Sequence, residues 1–241
     1  MKAGGHLDEK EKGESPMNRK MSIWWMLLIA VTLVGLTTYM NQTEALETEP
    51  LIAKEVYREA QNAVFYLRNV TESGTLRSVG TGFLLSGNGK AATAYHVVQG
   101  AASLEATLAD GTVVKNVKVM SYDEQTDTAV LQLPLPKLAA GKSYVSLPLR
   151  EEPVMHGERI FAIGYPLKNT PIITEGIVNA PTADINSRER ILISAQIASG
   201  MSGGPVLDEN GQLAGIVSGS LRTMTGIHLV ASTKQLSDIM N

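Results

Sequence analysis

Three side chains in this 241-residue chain could together make a hydroxyl attack a carbonyl. Ser202 stands in Gly200-Met201-Ser202-Gly203-Gly204-Pro205, His96 in Thr93-Ala94-Tyr95-His96-Val97, and Asp127 opens Asp127-Thr128-Ala129-Val130-Leu131. A serine hydroxyl is a weak nucleophile near neutral pH. It needs an imidazole to take its proton, and the imidazole needs a carboxylate that sets its tautomer and stabilises the imidazolium. The glycines around Ser202 let the backbone bend so that amide N–H groups can face a developing oxyanion. Asp123 lies in the same stretch as Asp127 and is the alternative carboxylate, but an apolar strand begins directly after Asp127.

These residues must be carried by short, apolar, strand-like segments. Ala63–Val70, Gly80–Leu85, Ala91–Ala94, Ser103–Leu108, Val113–Met120 and Thr128–Leu133 have that pattern, with turn signals at 86–89 and 109–111. Pro134, Pro136 and Gly141 mark a connector. Six more strands follow at Arg159–Tyr165, Ile172–Asn179, Arg190–Ile197, Pro205–Leu207, Leu213–Ser218 and Ile227–Ala231. Leu51–Asn62 and Ser232–Met240 have helical spacing, the latter with Ser232 or Thr233 as N-cap. The fold class expected is all-β, two six-stranded antiparallel barrels with a short C-terminal helix, preceded by one transmembrane helix.

The order and wording of the motifs resemble trypsin-like serine proteases, most closely the HtrA (Deg) group. Gly80-Thr81-Gly82-Phe83-Leu84-Leu85 is similar to that group's glycine-rich strand, and the stretches around His96, Asp127 and Ser202 to its three catalytic motifs. The resemblance covers about residues 60–235. It implies a chymotrypsin-like fold and a serine endopeptidase with an acyl-enzyme mechanism. Ser202 would be the nucleophile, His96 the general base and Asp127 the orienter, with an oxyanion hole formed by the amides of Gly200 and Ser202, helped by Met201. It also implies protein or peptide substrates, and work in protein quality control or regulated proteolysis. Homo-oligomerisation is left open. By the same analogy Gln196 and Ser218-Gly219-Ser220 line the substrate pocket. With no aspartate at position 196, a small or medium uncharged P1 residue is expected. The chain departs from the group in carrying Met201 where asparagine is common, and in ending without a PDZ domain.

Two other readings compete. Gly200-x-Ser202-x-Gly204 also fits the nucleophile elbow of α/β-hydrolases, which would need Asp208 and His228 as partners. Only a short C-terminal stretch remains for them, and no strand–helix alternation precedes Ser202. The other is a catalytically silent, protease-like binding module or adaptor, which fluorophosphonate labelling of Ser202 would separate from an enzyme.

Composition closes several routes. Hydrophobic residues make 44% and charged residues 19%, a globular balance. There is no cysteine, so disulfides, thiolate metal sites and a cysteine nucleophile are excluded. The four histidines have no metal-ligand spacing, so neither metal nor other cofactor is expected. A net charge of −3 gives no reason to expect nucleic acid.

The N-terminal region reads differently. Met21–Thr43 carries no charge, and Met21–Met40 supplies the roughly 20 apolar residues that a bilayer core requires. Trp24, Trp25 and Tyr39 sit near its ends, where amphipathic rings favour the interface. Arg19-Lys20 precede the run, whereas Glu44, Glu47 and Glu49 follow it. That asymmetry predicts a cytoplasmic N-terminus and an extracytoplasmic domain. No clean small-x-small site follows, so an uncleaved anchor is favoured over a signal peptide. The organisation expected is a tail at 1–20, an anchor at 21–40 and a linker with a short helix at 41–62. The protease domain then occupies 63–241, with barrels at 63–135 and 150–231 and a terminal helix at 232–241.

Overall fold

The computed structural model describes residues 24–33, 50–135, 143–221 and 223–240. The chain divides into two compact units, Met1–Glu49 and Pro50–Asn241. In the first, residues 24–33 are α-helical (α1), with apolar side chains exposed, Trp24 by 73%. Among the described residues no helix is long and apolar enough to cross a membrane. The remainder of the expected anchor, 21–23 and 34–40, lies outside the described residues, as does the expected tail.

The second unit begins with α2 (Ala53–Ala60) and a 3₁₀ turn, Gln61–Ala63, which bury Val56, Ala60 and Ala63. Seven strands follow: β1 (Val64–Val70), β2 (Leu76–Leu84), β3 (Lys90–Thr93), β4 (Ser103–Thr107), β5 (Val113–Lys115), β6 (Lys118–Asp123) and β7 (Thr128–Gln132). A four-residue helix, α3 (Tyr95–Val98), sits between β3 and β4. The strands form one sheet in the order β5-β4-β1-β2-β3-β7-β6.

This first half is therefore an open seven-stranded sheet, a half-barrel, and not the closed six-stranded barrel expected from the strand pattern. The reason is local. Asn116 adopts φ +60°, a left-handed conformation that asparagine tolerates better than most residues. It breaks Val113–Met120 in two, so that β5 pairs with β4 while β6 pairs with β7, and no hydrogen-bonded ladder joins β5 to β6 to close the sheet.

The second half does close. Strands β8 (Arg159–Leu167), β9 (Thr170–Asp184), β10 (Glu189–Ile193), β11 (Pro205–Asp208), β12 (Leu213–Ser220) and β13 (His228–Ser232) form a barrel in the order β10-β13-β12-β11-β8-β9. It ends in α4 (Thr233–Asp238). Ser232 Oγ accepts from the Gln235 amide at 3.3 Å, and Gln235 Oε1 accepts from the Ser232 amide at 3.0 Å, a reciprocal cap.

The two halves share a core. Phe65, Leu67, Phe83 and Leu131 of the sheet pack in one apolar cluster with Phe161, Ile163, Leu207 and Ile216 of the barrel. A second cluster, including Ile160, Ile193, Val206 and Val217, fills the barrel itself. Burying a large apolar side chain contributes about 1.5–3 kcal/mol. The shared cluster thus holds the sheet that carries His96 and Asp127 against the barrel that carries Ser202.

Candidate active site

The segment carrying Ser202 is held by a buried threonine of the opposite half. Thr81 Oγ1 donates to the Gly200 carbonyl at 2.8 Å and accepts from the Tyr165 amide at 2.9 Å. The Thr81 amide donates to the Ser202 carbonyl at 2.8 Å. Behind it, Thr93 Oγ1 donates to the Thr81 carbonyl at 2.7 Å. Glycine is required around this seam. A Cβ at Gly80 would lie 2.9 Å from the Ser202 carbonyl oxygen, and one at Gly203 only 2.1 Å from Thr93 Oγ1.

Gly200 and Gly203 both adopt positive φ, +94° and +82°. With that backbone, the Gly200 and Ser202 amides donate to no acceptor among the described residues. The Met201 amide is different: it donates to the Ala198 carbonyl at 3.1 Å. Its side chain is fully buried, with Sδ 3.4 Å from the Ala198 amide. Met201 thus has no free donor to offer an oxyanion, because its amide closes a turn and its side chain belongs to the barrel core.

His96 sits on α3, whose first turn is tied to Asp127. The Tyr95 amide donates to the Asp127 carbonyl at 3.2 Å, and the His96 amide to Asp127 Oδ1 at 3.0 Å. His96 Nδ1 lies 3.0 Å from Oδ1 and 2.9 Å from Oδ2 of the same carboxylate. A carboxylate accepts, so Nδ1 carries the hydrogen and Nε2 presents its lone pair. The His96 side chain is 44% exposed, whereas that of Asp127 is 10% exposed. No hydrogen bond joins Ser202 Oγ to His96 Nε2 in this structure. Such contacts are commonly long without substrate and tighten when it binds.

Asp123, the alternative carboxylate, caps the turn before β7. Its Oδ1 accepts from the Gln125 amide at 2.7 Å and the Thr126 amide at 3.4 Å. Asp127 follows at φ +58°, a left-handed conformation that brings its carboxylate to His96 rather than to the turn.

Ser218, a pocket residue by the family resemblance, turns its hydroxyl toward Asp127. Ser218 Oγ donates to Asp127 Oδ2 at 2.5 Å. The register of β12 against β13 slips between Val217 and Gly219, so Ser218 is the extra residue of a bulge. A bulge bends the strand and re-aims the side chain. Nothing in the local sequence signals that slip.

Gln196 and Ser220 are exposed and Gly219 half-buried. The Gln196 side chain lies toward the Gly226 turn, 3.8 Å from where a Cβ on Gly226 would stand. Ser220 pairs with His228 across β12 and β13, and its Oγ lies 2.8 Å from His228 Nδ1. His228 is 6% exposed and its Nε2 has no partner among the described residues. Burial pushes its imidazole below the usual histidine range.

The hydrolase reading finds no support in this geometry. Asp208 Oδ1 caps the Glu209–Gln212 turn, its Oδ2 pairs with Arg150 at 3.2 Å, and neither Asp208 nor His228 bonds to Ser202. Asn69, in one of the chain's two Asn-x-Thr triplets, is fully buried with Nδ2 donating to the Val97 and Gln99 carbonyls, so it offers no glycosylation acceptor. Among the described residues no cluster of three or more histidine or acidic side chains could hold a metal ion.

An open sheet packed on a closed barrel, with a paired histidine and aspartate on one half and a glycine-framed serine on the other, is the architecture of a chymotrypsin-like protein. The model of the trypsin-like peptidase domain matches residues 80–216, more than half of the chain, and the chain belongs to that family. Among its relatives is the chloroplastic protease Do-like 1 of Arabidopsis thaliana, 32% identical over 193 residues, covering 73% of this chain and 43% of that protein. A putative serine protease, HhoB, of Synechocystis is 35% identical over 155 residues, covering 60% and 34%. A probable periplasmic DegP-like serine endoprotease of Chlamydia trachomatis is 34% identical over 152 residues, covering 58% and 29%. The chain thus spans less than half the length of these relatives. The crystal structure of the serine endoprotease from Yersinia pestis superimposes with a TM-score of 0.68 at 26% identity, covering 80% of this chain and 66% of that one. The group resemblance drawn from the motifs is thereby matched by relatives named as Do-like and DegP-like serine proteases.

Proposed function

We propose that the chain is a membrane-anchored, extracytoplasmic serine endopeptidase that works through an acyl-enzyme. One observation carries the reading: His96 Nδ1 is held by the Asp127 carboxylate, so Nε2 is free to accept a proton, while the Gly200 and Ser202 amides have no acceptor among the described residues. Ser202 Oγ attacks the substrate carbonyl as His96 Nε2 takes its proton. The tetrahedral oxyanion is stabilised by the Gly200 and Ser202 amides. His96 returns the proton to the leaving amine, and water repeats the sequence on the ester. Asp127 orients the ring and stabilises the imidazolium throughout.

The pocket walls at Gln196, Gly219 and Ser220 carry no formal charge, which suits a small or medium uncharged P1 side chain. Exposed segments of unfolded proteins are the substrates proposed. The uncharged run at 21–40, helical and apolar in its described part, is the proposed anchor, with the N-terminus in the cytoplasm.

Activity-based labelling with a fluorophosphonate, coupled to cleavage of an unfolded protein, tests the catalytic claim. Label and cleavage are both expected in the parent chain and neither in Ser202→Ala. A parent chain that takes no label and cleaves nothing would instead be the silent binding module. Protease accessibility in spheroplasts tests the topology: residues 50–241 should be digested without lysis.

A further inference from the structure

Arg190 is 3% exposed, and among the described residues no carboxylate lies within ion-pair distance of it. A buried cation without a direct counter-ion is costly unless something nearby compensates it. Its side chain leaves β10 and crosses from the barrel to the sheet. One guanidinium nitrogen donates to its neighbour's carbonyl, Glu189, at 2.8 Å. The other donates to the Gln125 carbonyl at 3.1 Å, two residues before Asp127.

The same two hairpins are joined again by Gln125 Nε2, which donates to the Ser187 carbonyl at 2.8 Å. Gln235 of α4 steadies the barrel side by donating to the Glu189 carbonyl at 3.2 Å. The Asp127 turn of the sheet is thus clasped by the β9–β10 hairpin of the barrel. The carboxylates of Asp127 and Asp123 act on the guanidinium from the sheet side, Asp127 more strongly, and Arg188 opposes them from its own hairpin. Burial itself pulls the guanidinium below its ordinary value.

We propose that Arg190 is a positioning residue for the triad: from the barrel it anchors the Asp127 turn through the Gln125 carbonyl and places a buried positive charge near the Asp127–His96 pair. The inference rests on the reading of Ser202, His96 and Asp127 as the catalytic groups. The charged groups that act on the Arg190 guanidinium are Asp127 and Asp123 from the sheet side and Arg188 from its own hairpin. Ser218 Oγ adds a hydrogen bond to the Asp127 carboxylate from β12.

The test uses the full 241-residue chain in detergent, with Arg190→Gln, which keeps donors but loses charge, Arg190→Met, which loses both, and Arg190→Lys, which keeps charge. Arg190→Gln should move the acidic limb of the kcat/KM profile to higher pH by about 0.5–1 unit, since a departing positive charge makes the imidazolium easier to form. Arg190→Met should add a fall in kcat of about tenfold or more with KM within about twofold, because the turn loses its anchor. Arg190→Lys should return the limb to the parent position. An unmoved limb in both uncharged variants, or a loss that lysine does not rescue, would overturn the proposal. So would failure of both uncharged variants to fold while the lysine variant folds, since that assigns Arg190 to stability alone. If the parent shows no Ser202-dependent turnover, the functional reading fails. The Arg190 proposal is then decided by NMR titration of the His96 ring: its midpoint should rise in Arg190→Gln and not in Arg190→Lys, and an unchanged midpoint overturns it.

Discussion

Ser218 Oγ lies 2.5 Å from Asp127 Oδ2, on a carboxylate that also receives the His96 amide and ring nitrogen. The hydroxyl comes from the barrel and the carboxylate from the sheet, so the bond crosses the seam that joins the two halves. It occupies one of the lone pairs through which Asp127 could otherwise turn away from His96. A hydrogen bond to a charged group contributes about 1.5–3 kcal/mol. Ser218→Ala is therefore expected to lower kcat by roughly tenfold or more, with KM little changed. Steady-state kinetics on a peptide substrate checks this, and an unaltered kcat would remove Ser218 from the catalytic assembly.

The three residues proposed as the triad should behave as a unit. Ser202→Ala removes the attacking oxygen and His96→Ala leaves it unactivated, each costing on the order of 10⁶ in kcat. The double variant should be no worse than either single one. Asp127→Asn should cost roughly 10⁴, because an amide favours the wrong imidazole tautomer. Purified single and double variants assayed side by side decide the matter. Substantial turnover in Ser202→Ala, free of contaminating protease, defeats the assignment.

Gly203 tests the seam without touching a catalytic side chain. Its φ of +82° disfavours any Cβ, and a Cβ there would meet Thr93 Oγ1 at 2.1 Å and the Thr81 carbonyl at 2.4 Å. Both atoms belong to the hydrogen-bonded chain that carries the Ser202 loop, so they cannot yield freely. Gly203→Ala is expected to destabilise the fold by about 1–3 kcal/mol or more from overpacking. It should also displace Ser202. Gly219→Ala is the control, since no atom stands within 4 Å of its added Cβ. Urea unfolding measures the difference, and equal midpoints for the two variants would show that the seam is looser than its distances indicate.

His228 should make the stability depend on pH. Burial lowers its pKa in the fold, so the unfolded chain takes up the proton first, near the ordinary value of about 6.5. The contribution is fully present above that value and is lost as pH falls through the lowered folded value. His228→Leu should abolish this part of the dependence, although it also breaks the bond to Ser220. Denaturant unfolding of both proteins between pH 7.5 and 5 provides the comparison. Parallel pH curves for the two would mean that His228 does not take part.

The candidate catalytic residues were legible in sequence because each lies in a short motif whose local requirements are written in neighbouring residues. Glycines flank Ser202, a tight turn precedes Asp127, and His96 follows an apolar strand. The strand pattern likewise announced a β-rich fold in two halves joined near Pro134 and Pro136, because alternation and turn residues are local properties. What the sequence could not decide depends on contacts between distant segments. Asn116 is unremarkable in a linear reading, yet its left-handed backbone leaves the first sheet open. Ser218 sits in an ordinary strand sequence, and only a one-residue slip against β13 turns it toward Asp127. Met201 is adjacent to Ser202, the proposed nucleophile, but has its amide spent on Ala198. Arg190 would be a surface residue on an isolated strand, and becomes a buried neighbour of Asp127 only when the barrel closes against the sheet. By itself the sequence determined which residue types could do the chemistry, since side-chain reactivity and turn propensity are local. The tertiary structure alone decided which groups support them, since register, bulges and burial arise only once strands far apart in the chain are paired.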